Sequence, residues 1–122
     1  MVNHIVHLEL GVTNLMDGVK FYKQVFPNWT INKEEGVPDY YFCRDEGNRE
    51  NLSLGIGLVD KIDGTGSIRF YVNVGDINES IQRITEAGGK VLMEKTQLGG
   101  NNGFISRFED PFGNIIGIWS ID

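Results

Sequence analysis

Cysteine is nearly missing from this 122-residue chain: Cys43 stands alone. No intramolecular disulfide can form, and a lone thiol suits a reducing cytosol; its expected role is a small buried hydrophobe rather than a nucleophile. Basic residues are also short, 11 Lys and Arg against 17 Asp and Glu, for a net charge of −6. No basic cluster offsets that repulsion, which argues against nucleic acid held through phosphate contacts. Long apolar runs are missing too. The opening MVNHIVHLEL has neither a basic n-region nor a sustained hydrophobic stretch, so no signal peptide or membrane partner is expected and the localisation expected is cytoplasmic. On that reading the glycosylation-like triplets at Asn28, Asn51 and Asn78 are coincidental.

Glycine, by contrast, is abundant. The 16 glycines are nearly twice the usual share of about 7%, which predicts many turns and thin strands. One of them is conspicuous: residues 110–119 read DPFGNIIGIW, a turn leading into an apolar strand with Gly117 at its centre. Glycine weakens a strand interior, so it marks a bulge, a close approach or space left for another group.

A shift of 62 residues lays LELGVTNLMDGVKFYKQV (8–25) over FYVNVGDINESIQRITEA (70–87). Leu8, Leu10 and Val12 match Phe70, Val72 and Val74 with the period of a strand. Leu15, Val19 and Tyr22 match Ile77, Ile81 and Ile84 with helical spacing. Asn14 and Asp76 fall at matching N-caps, each with an acid three residues on, Asp17 and Glu79. Pro27 and the pair Gly88 and Gly89 supply the helix stops. Further strand-like runs cover 29–32, 40–44 and 51–59, then 90–94, 103–109 and 114–121. Each half therefore reads strand, helix, strand, strand, strand. The expected fold is α+β: one domain over 1–122 built of repeats 1–60 and 67–122, with linkers at 34–39, 45–50, 60–67 and 99–103. The same shift places Gly55 on Gly117, which makes an accidental defect a poor explanation of either.

Alternation along the strands points Val6, Leu8, Leu10 and Val12 toward the helices and leaves His7, Glu9 and Gly11 on the other face. In the second half Ile68, Phe70, Val72 and Val74 are expected to face the helices, with Arg69, Tyr71 and Asn73 opposite. Ser53, Gly55, Gly57, Gly117 and Trp119 continue that second face. Two readings stay open: a polar sheet surface facing water, or a mixed polar and aromatic lining of the kind that holds a small molecule.

The segments HIVHLELGVTNLMDGVKFY and EDPFGNIIGIW, with GGK after the second helix, resemble the vicinal-oxygen-chelate superfamily of glyoxalase I, bleomycin-resistance proteins and extradiol dioxygenases. The resemblance spans nearly the whole chain. It implies two βαβββ modules in tandem forming a curved mixed sheet, a cup with helices on its outer face. Metal-using members take ligands from the first and last strands of each module, and those positions fall here on His7, Gly55, Arg69 and Gly117. Only His7 is a donor suited to a metal, two positions have no side chain, and Arg69 is a permanent cation. The resemblance therefore implies a member without metal or other cofactor. Its ligand, a small organic molecule, is expected in the cup, with His7, Glu9, Ser53, Gly55, Arg69, Tyr71, Gly117 and Trp119 as the binding residues. Arg69 is the expected anchor for an anionic or strongly polar group, or else the ion-pair partner of Glu9. Alternatives are a lyase, isomerase or dioxygenase-like enzyme, with His7 and Glu9 as acid and base candidates, or a drug-sequestering resistance protein. A homodimer is expected because relatives commonly pair their modules.

Overall fold

A computed structural model gives the fold and describes residues 3–33, 35–44, 53–60 and 68–122. Among these the elements run β1 (Ile5–Val12), α1 (Leu15–Val25), β2 (Thr30–Lys33), β3 (Tyr40–Arg44), β4 (Ser53–Leu58), β5 (Ile68–Asn73), α2 (Ile77–Glu86), β6 (Lys90–Gln97), β7 (Phe104–Glu109) and β8 (Ile115–Ser120). This is the doubled βαβββ order expected from the repeat. The linker residues 45–50 and 61–67, and residues 51–52 of the expected strand, lie outside the described residues.

The chain separates into two compact units, Val6–Arg69 and Phe70–Asp122, the latter joined by the residues up to Ile5. Backbone hydrogen bonds from Asn3 N–H to Asn73 O and from Asn73 N–H to His4 O, both 2.8 Å, tie that lead-in to β5.

In the first unit the strand order is β2-β3-β4-β1, with β1 and β4 parallel and the other pairs antiparallel. Helix α1 begins where Asn14 accepts a hydrogen bond from Asp17 N–H at 3.0 Å, one of the first-turn donors that no helical carbonyl can reach. Its buried Val19 meets Ile31, Cys43 and Ile56, with Leu10, Val12, Leu15, Tyr22, Trp29 and Leu54 packed around them. Cys43 is only 3% exposed, and burial pushes its thiol up to about 11. It packs as a hydrophobe and carries no thiolate at neutral pH.

The second unit repeats the plan as β5-β8-β7-β6, with β5 and β8 parallel. Asp76 caps α2 by accepting from Glu79 N–H at 3.1 Å, and Gly88 ends it at a φ of +96°. The core joins Val74, Ile77 and Ile118 to Val72, Ile81, Ile84, Phe104 and Phe108. Ile68 departs from the expected pattern, being 70% exposed. It opens β5, whereas the apolar stripe of α2 meets Val72 and Val74 toward the other end of that strand.

β6 also runs three residues beyond the expected stretch, with register shifts between Val91 and Thr96. Such irregularity frees backbone groups from the ladder. The fully buried Ser106 hydroxyl donates to the Met93 carbonyl there at 2.6 Å.

The turn before β8 accounts for the DPFGN motif. The Asp110 carboxylate accepts from Phe112 N–H, Asn114 N–H and Asn114 Nδ2 at 2.8 to 2.9 Å. Gly113 takes a φ of +94° that an L side chain rarely adopts. The side-chain bond from Asn114, with the backbone donors behind it, holds the Asp110 carboxyl below its usual range.

Candidate functional site

Strand register brings His7, Glu9, Ser53 and Gly55 onto one face of the first unit. His7 lies opposite Ser53, and Glu9 opposite Gly55. On the other flank of β4, Phe42 lies opposite Gly55 and Tyr40 opposite Gly57. The two glycines leave β4 bare on this side, and the Tyr40 ring occupies that bare strip diagonally. A Cβ at Gly57 would stand 3.0 Å from the Tyr40 Cδ1 and Cε1 atoms, and one at Gly55 would overlap the phenol itself.

The Tyr40 hydroxyl thereby reaches His7 Nε2 across β4. His7 Nδ1 lies 2.5 Å from Ser53 Oγ, and the Ser53 hydroxyl donates onward to the Val6 carbonyl at 3.3 Å. One ring nitrogen of His7 thus faces a serine hydroxyl and the other a phenol, each of which can donate or accept. Burial pulls the His7 pKa down to about 4 from 6.5, so the ring is neutral at physiological pH. Phe42 flanks it, with its ring 5.8 Å from that of His7 and edge-on to Tyr40 at 5.3 Å.

Glu9 stands beside this network with only 9% of its surface exposed. It makes no hydrogen bond or ion pair among the described residues.

In the second unit Tyr71, Gly117 and Arg107 form one row across three strands. The Tyr71 ring lies over Gly117, where a Cβ would overlap it and stand 2.9 Å from its Cγ. The Tyr71 hydroxyl accepts from Arg107 Nε at 2.9 Å, and the guanidinium sits 5.8 Å from the ring centre. Trp119 is held apart from that row by its indole N–H, which donates to Asn102 O at 2.7 Å. Arg69 is half-buried on β5 and forms no ion pair with Glu9.

The residues at the four positions where the resemblance places metal ligands do not suit a divalent ion. Both His7 nitrogens are engaged with Ser53 and Tyr40. Tyrosine rings occupy the space a carboxylate would need at Gly55 and Gly117, and Arg69 is cationic. Among the described residues no group of three or more His, Cys, Asp and Glu side chains is placed to hold a metal.

Tyr40, Phe42 and Arg107 were missed by the sequence reading. The repeat does not mark them, because 40–44 was read only as a strand. The available signal was the spacing of Gly55 and Gly57, two gaps on one strand face that a large side chain from a neighbouring strand could fill.

A model of the Glyoxalase/Bleomycin resistance protein/Dioxygenase superfamily matches residues 4–118. The chain belongs to this superfamily. Solved structures agree on the fold of this superfamily member. Methylmalonyl-CoA epimerase from Mycobacterium tuberculosis is 17% identical with a TM-score of 0.69, over 98% of this chain and 88% of that one. A superfamily member from Vibrio splendidus 12B01 is 17% identical with a TM-score of 0.62, over 97% and 98%. The Mn(II)-bound glyoxalase from Novosphingobium aromaticivorans is 18% identical with a TM-score of 0.68, over 98% of this chain and 39% of that one. Comparison with curated proteins gives no match.

Proposed function

We propose that this chain is a metal-independent member of the superfamily that binds a small organic molecule against the His7, Tyr40 and Ser53 face of its first module. The observation that carries this reading is the engagement of both His7 nitrogens. A neutral imidazole fixed between a phenol and a hydroxyl is a rigid polar wall rather than a metal ligand. The Tyr40 and Phe42 rings beside it supply the apolar surface that small-molecule sites combine with a few fixed polar groups.

An enzymatic reading, lyase or isomerase, has one observation in its favour: the continuous Tyr40, His7, Ser53 chain is a path along which a proton can move. Burial opposes the imidazolium that such a step would form at His7, so binding is the better supported role.

The test is elemental analysis of purified protein, followed by a thermal-shift screen of metabolites with and without divalent ions, since a bound ligand raises apparent stability. Ligand stabilisation that is indifferent to divalent ions is expected. A stoichiometric metal that disappears in His7→Ala overturns the reading.

A further inference from the structure

We propose that Glu9 anchors the positively charged or N–H-rich end of the ligand, so that the molecule held by the first module is an organic amine, amidine or guanidine rather than an acid. The inference rests on the small-molecule reading of that face and adds the chemical class.

Glu9 is more than nine-tenths buried, yet neither oxygen has a hydrogen-bond partner among the described residues. A buried carboxylate without a donor is among the more expensive arrangements a fold can hold. No unbonded side-chain oxygen or nitrogen among the described residues is sealed from solvent, so the Glu9 oxygens retain their small remaining access, and an arriving group can reach them.

None of the hydrogen bonds that link Tyr40 to His7, His7 to Ser53 and Ser53 to Val6 O reaches Glu9. The Glu9 carboxylate therefore calls for a donor from outside, and it repels an anion. The net charge of −6 acts in the same sense.

Aromatic surface lies beside the Glu9 carboxylate at Gly57. A Cβ there would stand 3.7 Å from the Glu9 carboxyl carbon and 3.0 Å from the edge of the Tyr40 ring. A planar cation entering beside Glu9 would therefore also meet aromatic surface, which favours organic cations over bare ammonium.

The experiment uses three probes of one shape and different charge, benzamidine, benzamide and benzoate, titrated into the full chain by calorimetry at neutral pH. Side-chain NMR signals of His7 and Tyr40 report where each probe binds. Benzamidine is expected to bind tightest and benzoate weakest, and Glu9→Gln is expected to weaken benzamidine by roughly tenfold or more, as for loss of a hydrogen bond to a charged group. Circular dichroism checks the fold of the variant, and the wild-type ranking stands without it. Benzoate or benzamide binding as tightly as benzamidine, or benzamidine binding unchanged in folded Glu9→Gln, overturns the inference. If benzoate or benzamide does so while shifting the His7 and Tyr40 signals, the small-molecule reading survives alone. If none of the three shifts those signals, both fall.

Discussion

The two modules place a glycine at the same point of their last strands and cover it in different ways. In the second module, Tyr71 stands directly opposite Gly117 and reaches straight across it to Arg107. The matching position in the first module is Glu9, opposite Gly55, and there Tyr40 crosses from β3 to end on His7. The difference teaches that the repeat preserves a gap in the sheet rather than a particular contact. One gap is closed by a tyrosine anchored to a permanent cation. The other is closed by a tyrosine anchored to a neutral imidazole, with a carboxylate left over beside it.

Adding a single methyl tests that contrast most severely. Gly117→Ala places a Cβ against the root of the Tyr71 ring, whose side chain is 4% exposed and has nowhere to go. A loss of about 3 kcal/mol is expected in chemical denaturation, the upper end of ordinary overpacking. Gly55→Ala meets the far end of the half-buried Tyr40 instead. The ring can swing outward, so about 1 to 2 kcal/mol is expected, with the NMR-measured pKa of His7 rising toward its ordinary value as the ring becomes solvated. Equal losses in the two variants would break the comparison.

Acid separates the modules next. The folded pKa of His7 is depressed to about 4 from 6.5, so between those values the unfolded chain binds a proton that the folded chain refuses. Stability associated with neutral His7 is intact above pH 6.5, declines as pH falls toward 4, and is lost below that. The full loss is about 3 kcal/mol. The denaturation curve of His7→Gln should be flatter than that of the wild type over this window. The Tyr71–Arg107 hydrogen bond, whose guanidinium stays charged throughout this window, should contribute no such slope.

Removing one hydroxyl from each module gives the smallest effects. Tyr71→Phe strips the guanidinium of an acceptor and should lower stability by about 2 kcal/mol, whereas Tyr40→Phe removes a neutral bond to imidazole and should lower it by about 1 kcal/mol. A reversed order in thermal unfolding would show that the His7 chain, not the Arg107 pair, is the more tightly built.

Much of the architecture was legible in sequence because it depends on local periodicity and capping chemistry. Asn14 and Asp76 cap their helices as their residue types require, and the alternation in β1 and β4 puts His7, Glu9, Ser53 and Gly55 on one face. The site was legible only in part. Periodicity assigns a residue to a face, but it does not say how far a side chain leans along the sheet. Tyr40 was therefore missed although Gly55 and Gly57 were noticed. Ile68 fits the apolar pattern of β5 yet stays exposed, because the reach of α2 rather than the alternation decides what is covered.

The sequence by itself determined the doubled βαβββ order and the helix termini, since each follows from residue type, spacing and one internal repeat. Only the tertiary structure decided what fills the two glycine gaps and which groups the two His7 nitrogens meet. It likewise decided that the Glu9 carboxylate is buried with no hydrogen-bond donor among the described residues. The reason is physical: hydrogen bonds across strands join residues distant in sequence, and their direction is set by the competition among all the donors and acceptors that the fold brings together.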